Sequence, residues 1–158
     1  MWVCFPDQMA LCYNSAMTEQ QKKILLVDDN EIVRIMFSNL FWLHGLDEQY
    51  ELTTVSNIES AEALIKNPAT RPDIIFTGLV MPHTKNAKVE TTPEAGFSLL
   101  KYVKENPDTK DICVVIFSSY DDKEYQEQAL ALGADRYLKK SDNMPQDLIN
   151  SISCSIKN

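Results

Sequence analysis

Short apolar runs alternate with helical patterns along most of the chain. Ile24–Val27 and Ile112–Phe117 lack a polar break, which is typical of strands buried on both faces of a parallel sheet. Between such runs, apolar residues recur three and four positions apart, and glycine or proline follows where the pattern stops. The first helical pattern comprises Ile32, Ile35, Met36, Leu40 and Leu43, and it ends at Gly45.

Five strands are predicted, and a helix follows each of them. The strands are 24–27, 51–55, 73–77, 112–117 and 136–139. Regular alternation of strands and helices predicts a parallel sheet with helices on both faces, and right-handed crossovers leave few topologies. We therefore predict an α/β fold, a flavodoxin-like doubly wound sheet of five strands in the order 2-1-3-4-5 with five helices, in one domain over residues 22–158.

Residues 1–21 differ from the rest and are predicted to be a poorly ordered extension. The first sixteen contain neither lysine nor arginine, and Pro6-Asp7-Gln8 interrupts their apolar pattern. A secretory signal peptide needs a basic start and a continuous apolar centre, so this stretch does not fit one. Two interpretations remain: an upstream extension with Met17 as the effective start, or a short docking segment led by Trp2 and Phe5.

The composition is that of an ordinary globular protein with an excess of acidic residues. Of 158 residues, 44% are hydrophobic and 24% are charged, and the formal net charge is −8. A negative charge argues against general affinity for nucleic acid or anionic membranes. The apolar runs are too short to span a bilayer, and the four cysteines form no zinc-binding or disulfide pattern. We therefore expect a cytoplasmic protein.

Four of the predicted strands end in residues that point to one site. Asp28 and Asp29 follow the first strand, Gly78 the third, Ser118 the fourth and Lys140 the fifth. In this topology those strand ends meet at one edge of the sheet. Singly, each polar residue has a structural explanation, as a helix cap, a turn residue or a surface lysine. Jointly, two carboxylates suit Mg²⁺, while a hydroxyl and an ammonium suit a phosphoryl group.

Four stretches of the chain resemble the receiver domains of two-component response regulators. They are KKILLVDDNEIVR, PDIIFTGLVMP, VVIFSS and GADRYLKK, and the resemblance extends from about Lys22 to the C-terminus. It implies the fold predicted above and a role in phosphorelay signal transduction. In that family a sensor kinase transfers a phosphoryl group from histidine to an aspartate after the third strand.

The resemblance assigns a metal ion to the end of the first strand. Asp28 and Asp29 correspond to the Mg²⁺-binding acidic pair, and the backbone carbonyl of Val80 is a further expected ligand. The phospho-acceptor position, four residues before Pro82, is Gly78, where the family has aspartate. Glycine accepts no phosphoryl group and supplies no third carboxylate, so we expect weakened Mg²⁺ binding.

The resemblance gives further roles to residues around the same strand ends. Ser118 corresponds to the switch hydroxyl, and Tyr137 to the aromatic residue that swings inward on activation. Lys140 corresponds to the lysine that pairs with the phosphoryl group, and with Gly78 in place we expect it to lose its resting ion-pair partner. Gly96 corresponds to the glycine that opens the third helix.

Two interpretations of Gly78 stay open. In the first, the chain is a naturally degenerate receiver, a pseudo-receiver that acts by protein contact without phosphorylation. In the second, the glycine is a recent or deliberate substitution in an otherwise working receiver. The intact Asp28, Asp29 and Lys140 favour the second interpretation somewhat, since a long-degenerate site would be free to lose them.

The residues near Gly78 offer no evident substitute acceptor. Thr77 is expected to face the helix layer, and Asp73 lies at the far end of the strand. Glu90 belongs to a polar stretch over residues 83–95, which is longer than the family pattern and could bring it within reach. We interpret this stretch as a flexible surface loop, or else as a lid or partner-docking element beside the pocket.

Enzyme classes with a nucleotide-binding signature do not fit the sequence. Its four glycines form neither a dinucleotide-binding motif nor a P-loop. We therefore expect no enzyme activity. Because the sequence ends in the predicted fifth helix, we expect another protein to provide the output, or else the chain to be a fragment. The resemblance implies a histidine kinase or phosphotransfer protein and a downstream protein as partners. It also implies a homodimer through the face of the fourth helix, fifth strand and fifth helix.

Overall fold

The computed structural model describes residues 20–141 and 146–154, so predictions for residues 1–19 lie outside the described part of the chain. The strands are β1 (Lys22–Val27), β2 (Tyr50–Val55), β3 (Ile74–Thr77), β4 (Met81–Lys85), β5 (Lys88–Thr92), β6 (Cys113–Ser118) and β7 (Arg136–Lys139). The helices are α1 (Glu31–Leu43), α2 (Ile58–Lys66), α3 (Glu94–Glu105), α4 (Lys123–Ala131) and α5 (Gln146–Cys154). None of the helices within this described part has the length and apolar character that crossing a membrane requires.

Five of the strands form one parallel sheet, in the order β2-β1-β3-β6-β7. Leu26 pairs with Phe76, and Phe76 pairs in turn with Val115, so the three central strands share one register. Because β6 and β7 are the fourth and fifth strands of this sheet, the structure confirms the flavodoxin-like fold and the order 2-1-3-4-5. The more polar β2 lies at an edge, as its composition indicated.

Alternate residues of the central strands face opposite helix layers. On one face, Leu26, Phe76 and Phe117 belong to a buried cluster with side chains of α1 and α5. On the other face, Val27 and Ile75 belong to a buried cluster with side chains of α2 and α3. Burying each large apolar side chain stabilises the fold by roughly 1.5–3 kcal/mol. The sheet is therefore a firm base for polar groups at its carboxyl edge.

Of the five apolar residues whose spacing predicted helix α1, only Leu40 is buried. Asn30 caps the helix by accepting a hydrogen bond of 2.9 Å from the Ile32 N–H. Phe37, Leu40 and Phe41 are its buried residues. Its exposed large apolar residues are Ile32, Ile35, Met36, Trp42 and Leu43. Helix α1 thus has one apolar face toward the sheet and a second toward solvent.

The stretch predicted to be a flexible loop forms a β-hairpin instead. Strands β4 and β5 pair antiparallel, with His83 opposite Glu90. Asn86 and Ala87 form the two-residue turn, with φ angles of 51° and 61°, as the tight turns of hairpins require. The sequence did not indicate this turn, because the turn lacks the glycine that commonly adopts a positive φ angle. Ala87 adopts the left-handed conformation at a cost of about 1 kcal/mol.

The hairpin is held against α2. The Thr84 N–H donates a hydrogen bond of 3.0 Å to Glu59 Oε1, in the first turn of that helix. Hydrogen bonds from the backbone N–H groups of Glu59 itself and of Thr84 lower the pKa of the Glu59 carboxyl. The hairpin is therefore a fixed addition between β3 and α3, while its suggested role as a lid or docking element stays a prediction.

Candidate functional site

The predicted site residues meet at the carboxyl edge of the parallel sheet. The Gly78 N–H donates a hydrogen bond of 2.9 Å to the Val27 carbonyl, and the Lys140 N–H donates one of 2.8 Å to the Ser118 carbonyl. Gly78 therefore lies beside the end of β1, which Asp28 follows, and Lys140 lies beside the end of β6. The ends of these four strands therefore lie side by side, and the Lys140 ammonium contacts Asp28.

Asp28 is a buried carboxylate with a fixed orientation. Its side chain is 1% exposed, and Oδ2 forms an ion pair with Lys140 Nζ. Its Oδ1 accepts a hydrogen bond of 3.0 Å from the Asn30 N–H. Among the described residues, Oδ2 accepts no further hydrogen bond. One oxygen of Asp28 is thus held by α1, and the other depends on Lys140.

Lys140 keeps an ion-pair partner, contrary to the expectation drawn from Gly78. Its ammonium contacts Asp28 and lies 5.6 Å from the centre of the Phe117 ring. Position 78 offers no carboxylate, and the long, flexible lysine side chain reaches the buried carboxylate of Asp28 instead. Removing one partner of a buried ion pair typically costs 3–5 kcal/mol, so each of these two groups holds the other in place.

The acidic residues fit a divalent cation in part. Mg²⁺ is commonly bound by one or two carboxylates together with waters, and the adjacent Asp28 and Asp29 supply two. Asp29 is exposed, but Lys140 occupies one oxygen of Asp28. In the described ranges, no group of three or more histidine, cysteine, aspartate or glutamate side chains could hold a metal ion. The Val80 carbonyl stays a predicted ligand.

Neither the backbone nor the packing requires glycine at position 78. Its φ angle is not positive, unlike those of Gly45 and Gly133. A Cβ atom there would lie 3.5 Å from both Cγ and Sδ of Met81 and 3.7 Å from Asp28 Oδ2. These are ordinary van der Waals distances. A Cβ atom therefore fits beside Asp28 at this position.

Two of the neighbouring polar residues are engaged elsewhere. Thr77 is buried, and its hydroxyl donates a hydrogen bond of 3.0 Å to the Gly78 carbonyl. Asp73 accepts a hydrogen bond of 2.7 Å from the Lys23 N–H, near the start of β1. Glu90 is exposed on β5, and the paired strand fixes its backbone where the sequence suggested a flexible loop.

Ser118 and Tyr137 are connected across the end of β6. Ser118 is buried, and its Oγ accepts a hydrogen bond of 3.1 Å from the Tyr120 N–H. The Tyr137 hydroxyl donates one of 2.9 Å to the Tyr120 carbonyl. Burial raises the pKa of Tyr137 above its ordinary value of 10.0, and a hydrogen bond with the Ser118 side chain opposes this shift. Ser118 and Tyr137 are thus linked through the backbone of Tyr120.

Two contributors to the pocket were not singled out from the sequence. Arg34 on α1 donates a hydrogen bond of 2.7 Å to the Asp28 carbonyl. Met81 is fully buried at the base of the hairpin and would contact a side chain at position 78. An arginine one helical turn after the Asn30 cap was an available signal for the first. Nothing in the sequence separated Met81 from an ordinary core methionine.

Gly96 is required by a close approach between α3 and the segment after β3. Its N–H donates a hydrogen bond of 3.0 Å to the Leu79 carbonyl. A Cβ atom on Gly96 would lie 2.6 Å from the Gly78 carbonyl oxygen and 2.7 Å from Leu79 Cα. These are backbone atoms, and they cannot move without moving the pocket. The first turn of α3 therefore packs directly on the strand end that carries Gly78.

A Gly96→Ala variant is expected to lose about 2 kcal/mol of unfolding free energy, because the added methyl group overlaps fixed backbone atoms. Urea unfolding followed by circular dichroism measures this loss. Ser98→Ala, at an exposed position of the same helix, is the matched control and should change stability by less than about 0.5 kcal/mol. Equal stabilities for the two variants would contradict the close approach.

Known proteins resemble the chain over most of its length. A family model described as response regulator receiver domain matches residues 24–153. Oxygen regulatory protein NreC of Staphylococcus carnosus (strain TM300) is 31% identical over 129 residues, covering 82% of this chain and 52% of NreC. Protein PilG of Pseudomonas aeruginosa is 27% identical over 125 residues, covering 77% of this chain and 81% of PilG. The chain spans about half the length of NreC.

Solved structures show the same fold. The signal receiver domain of a DNA binding response regulator protein from Colwellia psychrerythraea 34H superposes with a TM-score of 0.72 at 21% identity, over 87% of this chain and 100% of that one. Chemotaxis response regulator CheY4 of Vibrio cholerae gives a TM-score of 0.68 at 24% identity, over 86% of this chain and 99% of that one.

Proposed function

The chain belongs to the response regulator receiver domain family of two-component signalling, and we propose that it is a receiver whose phospho-acceptor position is filled by Gly78. One observation carries the finer proposal. Gly78 directly follows β3, and a Cβ atom built there would lie 3.7 Å from Asp28 Oδ2 without a steric conflict. In this proposal residue 78 occupies the position of the phospho-acceptor but has no carboxylate.

The residues around Gly78 are those that would hold a phosphoryl group. Lys140 brings a positive charge, and the Ser118 hydroxyl is a hydrogen-bond donor at the end of the neighbouring strand. Neither has the role of acceptor in this proposal, since Lys140 is paired with Asp28 and Ser118 is buried with its Oγ bonded to Tyr120. The switch roles of Ser118, Tyr137 and Lys140 rest on family membership together with these contacts.

We propose a weakened Mg²⁺ site at the same strand ends. Asp28 and Asp29 would hold the ion with the Val80 carbonyl, and the ion would neutralise charge on a bound phosphoryl group. The adjacent carboxylates of Asp28 and Asp29 support this assignment, although a metal ion would have to compete with the Lys140 ammonium for Oδ2 of Asp28. The ion pair with Lys140 and the missing third carboxylate both lower the expected affinity.

The pseudo-receiver alternative is favoured by one specific observation. The Lys140 ammonium pairs with the buried carboxylate of Asp28, so the chain itself supplies the cation that this carboxylate requires. A chain of this kind would act as a phosphorylation-independent interaction module. Its partners would recognise a single, fixed arrangement of the pocket surface.

Partners of this chain are proposed to be proteins. A histidine kinase or phosphotransfer protein and a downstream target follow from two-component signalling, and Histidine kinase P4 of Formosa agariphila contains a region similar to this chain. The net charge of −8 supports neither nucleic acid nor anionic membrane as a general partner. We further propose a cytoplasmic, non-enzymatic protein. A homodimer through the α4–β7–α5 face stays a prediction.

The chain is expected to gain no phosphoryl group when it is incubated with acetyl phosphate and Mg²⁺, because glycine has no nucleophile. Intact-mass spectrometry measures the result, with a phosphorylatable receiver treated in parallel as the positive control. A phosphoryl mass on the unsubstituted chain would contradict the proposal. Peptide mapping would then decide among Thr77, Glu90 and Ser118 as the modified residue.

A further inference from the structure

Helix α1 carries most of the exposed large apolar side chains of the described residues. Eight such side chains are exposed, and five of them are on this helix. Their exposed fractions are 74% for Ile32, 53% for Ile35, 41% for Met36, 75% for Trp42 and 74% for Leu43. Contiguous apolar patches of this kind on a folded protein mark interaction sites. By contrast, α4 exposes only one large apolar residue, Leu130.

The exposed residues form one stripe along the helix and are symmetric about Asn39. Ile35 and Met36 precede Asn39 by four and three positions, and Trp42 and Leu43 follow it by three and four. Residues three and four apart share a helix face, so these side chains lie in a line on either side of Asn39. Phe37, Leu40 and Phe41 occupy the opposite, buried face.

The spacing is that of a helix-pairing seam. Ile32, Ile35, Asn39 and Trp42 are separated by three, four and three positions, which is the a/d spacing of paired helices. An asparagine at a single seam position is a known device for fixing the register of such pairs. Because the stripe carries no charged side chain between Ile35 and Leu43, it can be buried without an unpaired charge.

We propose that the exposed stripe of α1 binds the same stripe of a second copy of this chain. The two helices run antiparallel about a two-fold axis at Asn39. Met36 then lies beside Leu43 of the second copy, and Ile35 lies beside Trp42 of the second copy. The two Asn39 amides face each other, and each can donate one hydrogen bond and accept another. Such an interface uses one patch twice, as two-fold dimers require.

The apolar area of the stripe is large enough for an interface with a second copy of the chain. Large apolar side chains bury roughly 100 Å² of apolar surface each, so five of them supply about 500 Å² per copy. A standard interface covers about 800 Å² per partner and is about 60% apolar. The α1 stripe therefore provides the apolar part of one standard interface. Its symmetry about Asn39 favours a second copy over an unrelated helix.

A dimer formed through α1 would affect the candidate site, because residues in the first turns of this helix hold Asp28. Asn30, the cap of α1, donates its N–H to Asp28 Oδ1 at 3.0 Å, and Arg34 donates to the Asp28 carbonyl at 2.7 Å. Both bonds come from the first turns of the paired helix. A dimer through this helix would therefore restrain the carboxylate that pairs with Lys140.

Sedimentation equilibrium of the full chain tests the proposal, from low micromolar to near-millimolar concentration at physiological salt. We expect a monomer–dimer equilibrium. Met36→Glu should raise the dissociation constant roughly tenfold or more, because it buries a charge in the seam. Val89→Glu is the matched control, an exposed apolar residue on β5 whose substitution should leave the dissociation constant unchanged.

A second variant tests the antiparallel register. In that register residue 36 lies beside residue 43 of the second copy, so Met36→Glu combined with Leu43→Lys creates two ion pairs across the interface. The double variant should dimerise more strongly than Met36→Glu alone. Circular dichroism melts check that all three variants remain folded, as expected for substitutions at exposed positions.

Several outcomes would overturn the proposal. A chain that stays monomeric at every concentration would assign the stripe to a helix of another protein or to another segment of this chain. A dimer that Met36→Glu leaves unchanged would place the interface elsewhere, as on the predicted α4–β7–α5 face. A double variant no stronger than Met36→Glu would rule out the antiparallel register about Asn39.

Discussion

Replacing Gly78 with aspartate is expected to give a chain that takes a phosphoryl group from acetyl phosphate in the presence of Mg²⁺. The backbone at this position needs no positive φ, and a Cβ atom fits at 3.5 Å from Met81 Cγ and 3.7 Å from Asp28 Oδ2. The new carboxylate would attack the phosphorus atom, acetate would leave, and an acyl phosphate would form. Lys140 would then have a phosphoryl oxygen to pair with in addition to Asp28.

The variant is also expected to depend on Mg²⁺ for stability. A second carboxylate beside the buried Asp28 introduces repulsion between like charges, which a divalent cation would remove. Thermal unfolding with and without Mg²⁺ measures this dependence, and the melting temperature of Gly78→Asp should rise more on adding Mg²⁺ than that of the unsubstituted chain.

Gly78→Asn is the matched control for the phosphorylation experiment. Its side chain has nearly the shape of aspartate but lacks the anionic nucleophile, so intact-mass spectrometry should find no phosphoryl gain. A gain in Gly78→Asp alone would indicate a competent pocket that lacks only its acceptor. If neither variant gains the mass, the remaining residues do not form a working site, and the pseudo-receiver interpretation is the better one.

Replacing Lys140 with methionine is expected to lower the free energy of unfolding by about 3 kcal/mol, because it leaves the buried carboxylate of Asp28 without its cation. The Asp28 side chain is only 1% exposed, so water cannot replace the lost partner. Urea unfolding measured without divalent cations gives the size of the loss. Methionine keeps the length of the lysine stem, so the experiment isolates the charge.

Lys139→Met is the matched control for this loss. Lys139 pairs with Asp121 at 2.6 Å, but the two side chains are 26% and 60% exposed, and pairs at such surfaces contribute about 1 kcal/mol or less. Adding Mg²⁺ should restore part of the stability of Lys140→Met, since a cation at Asp28 and Asp29 would replace the ammonium. Equal losses in the two variants, or no effect of Mg²⁺, would contradict the role given to the ion pair.

The sequence was most informative where buried strands end in polar residues. Asp28 and Ser118 follow apolar runs, Lys140 follows the short fifth strand, and in a parallel sheet the ends of these strands meet at one edge. Their convergence was therefore predictable before any contact was known. The same periodicity located α1, but it did not separate the face that packs on the sheet from the exposed one. Both faces of that helix are apolar, and only tertiary packing distinguishes them.

Two features depend on interactions that a linear pattern does not contain. The β4–β5 hairpin turns at Asn86-Ala87 without a glycine, so its strongest local signal was missing. Lys140 pairs with Asp28 because Gly78 has no carboxylate to offer and the flexible lysine side chain can reach Asp28. The residue types alone indicated a site for a phosphoryl group. Which of its charged side chains pair with each other could be learned only from the three-dimensional structure.

The hairpin gives this receiver a position for a reporter beside its pocket. Its turn at Asn86-Ala87 is exposed, whereas Met81 at its base is fully buried against the position where a side chain on residue 78 would lie. Exposed turns tolerate insertions well, and a short peptide tag or dye at this turn would also relieve the strained Ala87. Such a label would be tethered through β4 to the residue that contacts position 78, and a change in the pocket could be followed by fluorescence in the intact protein.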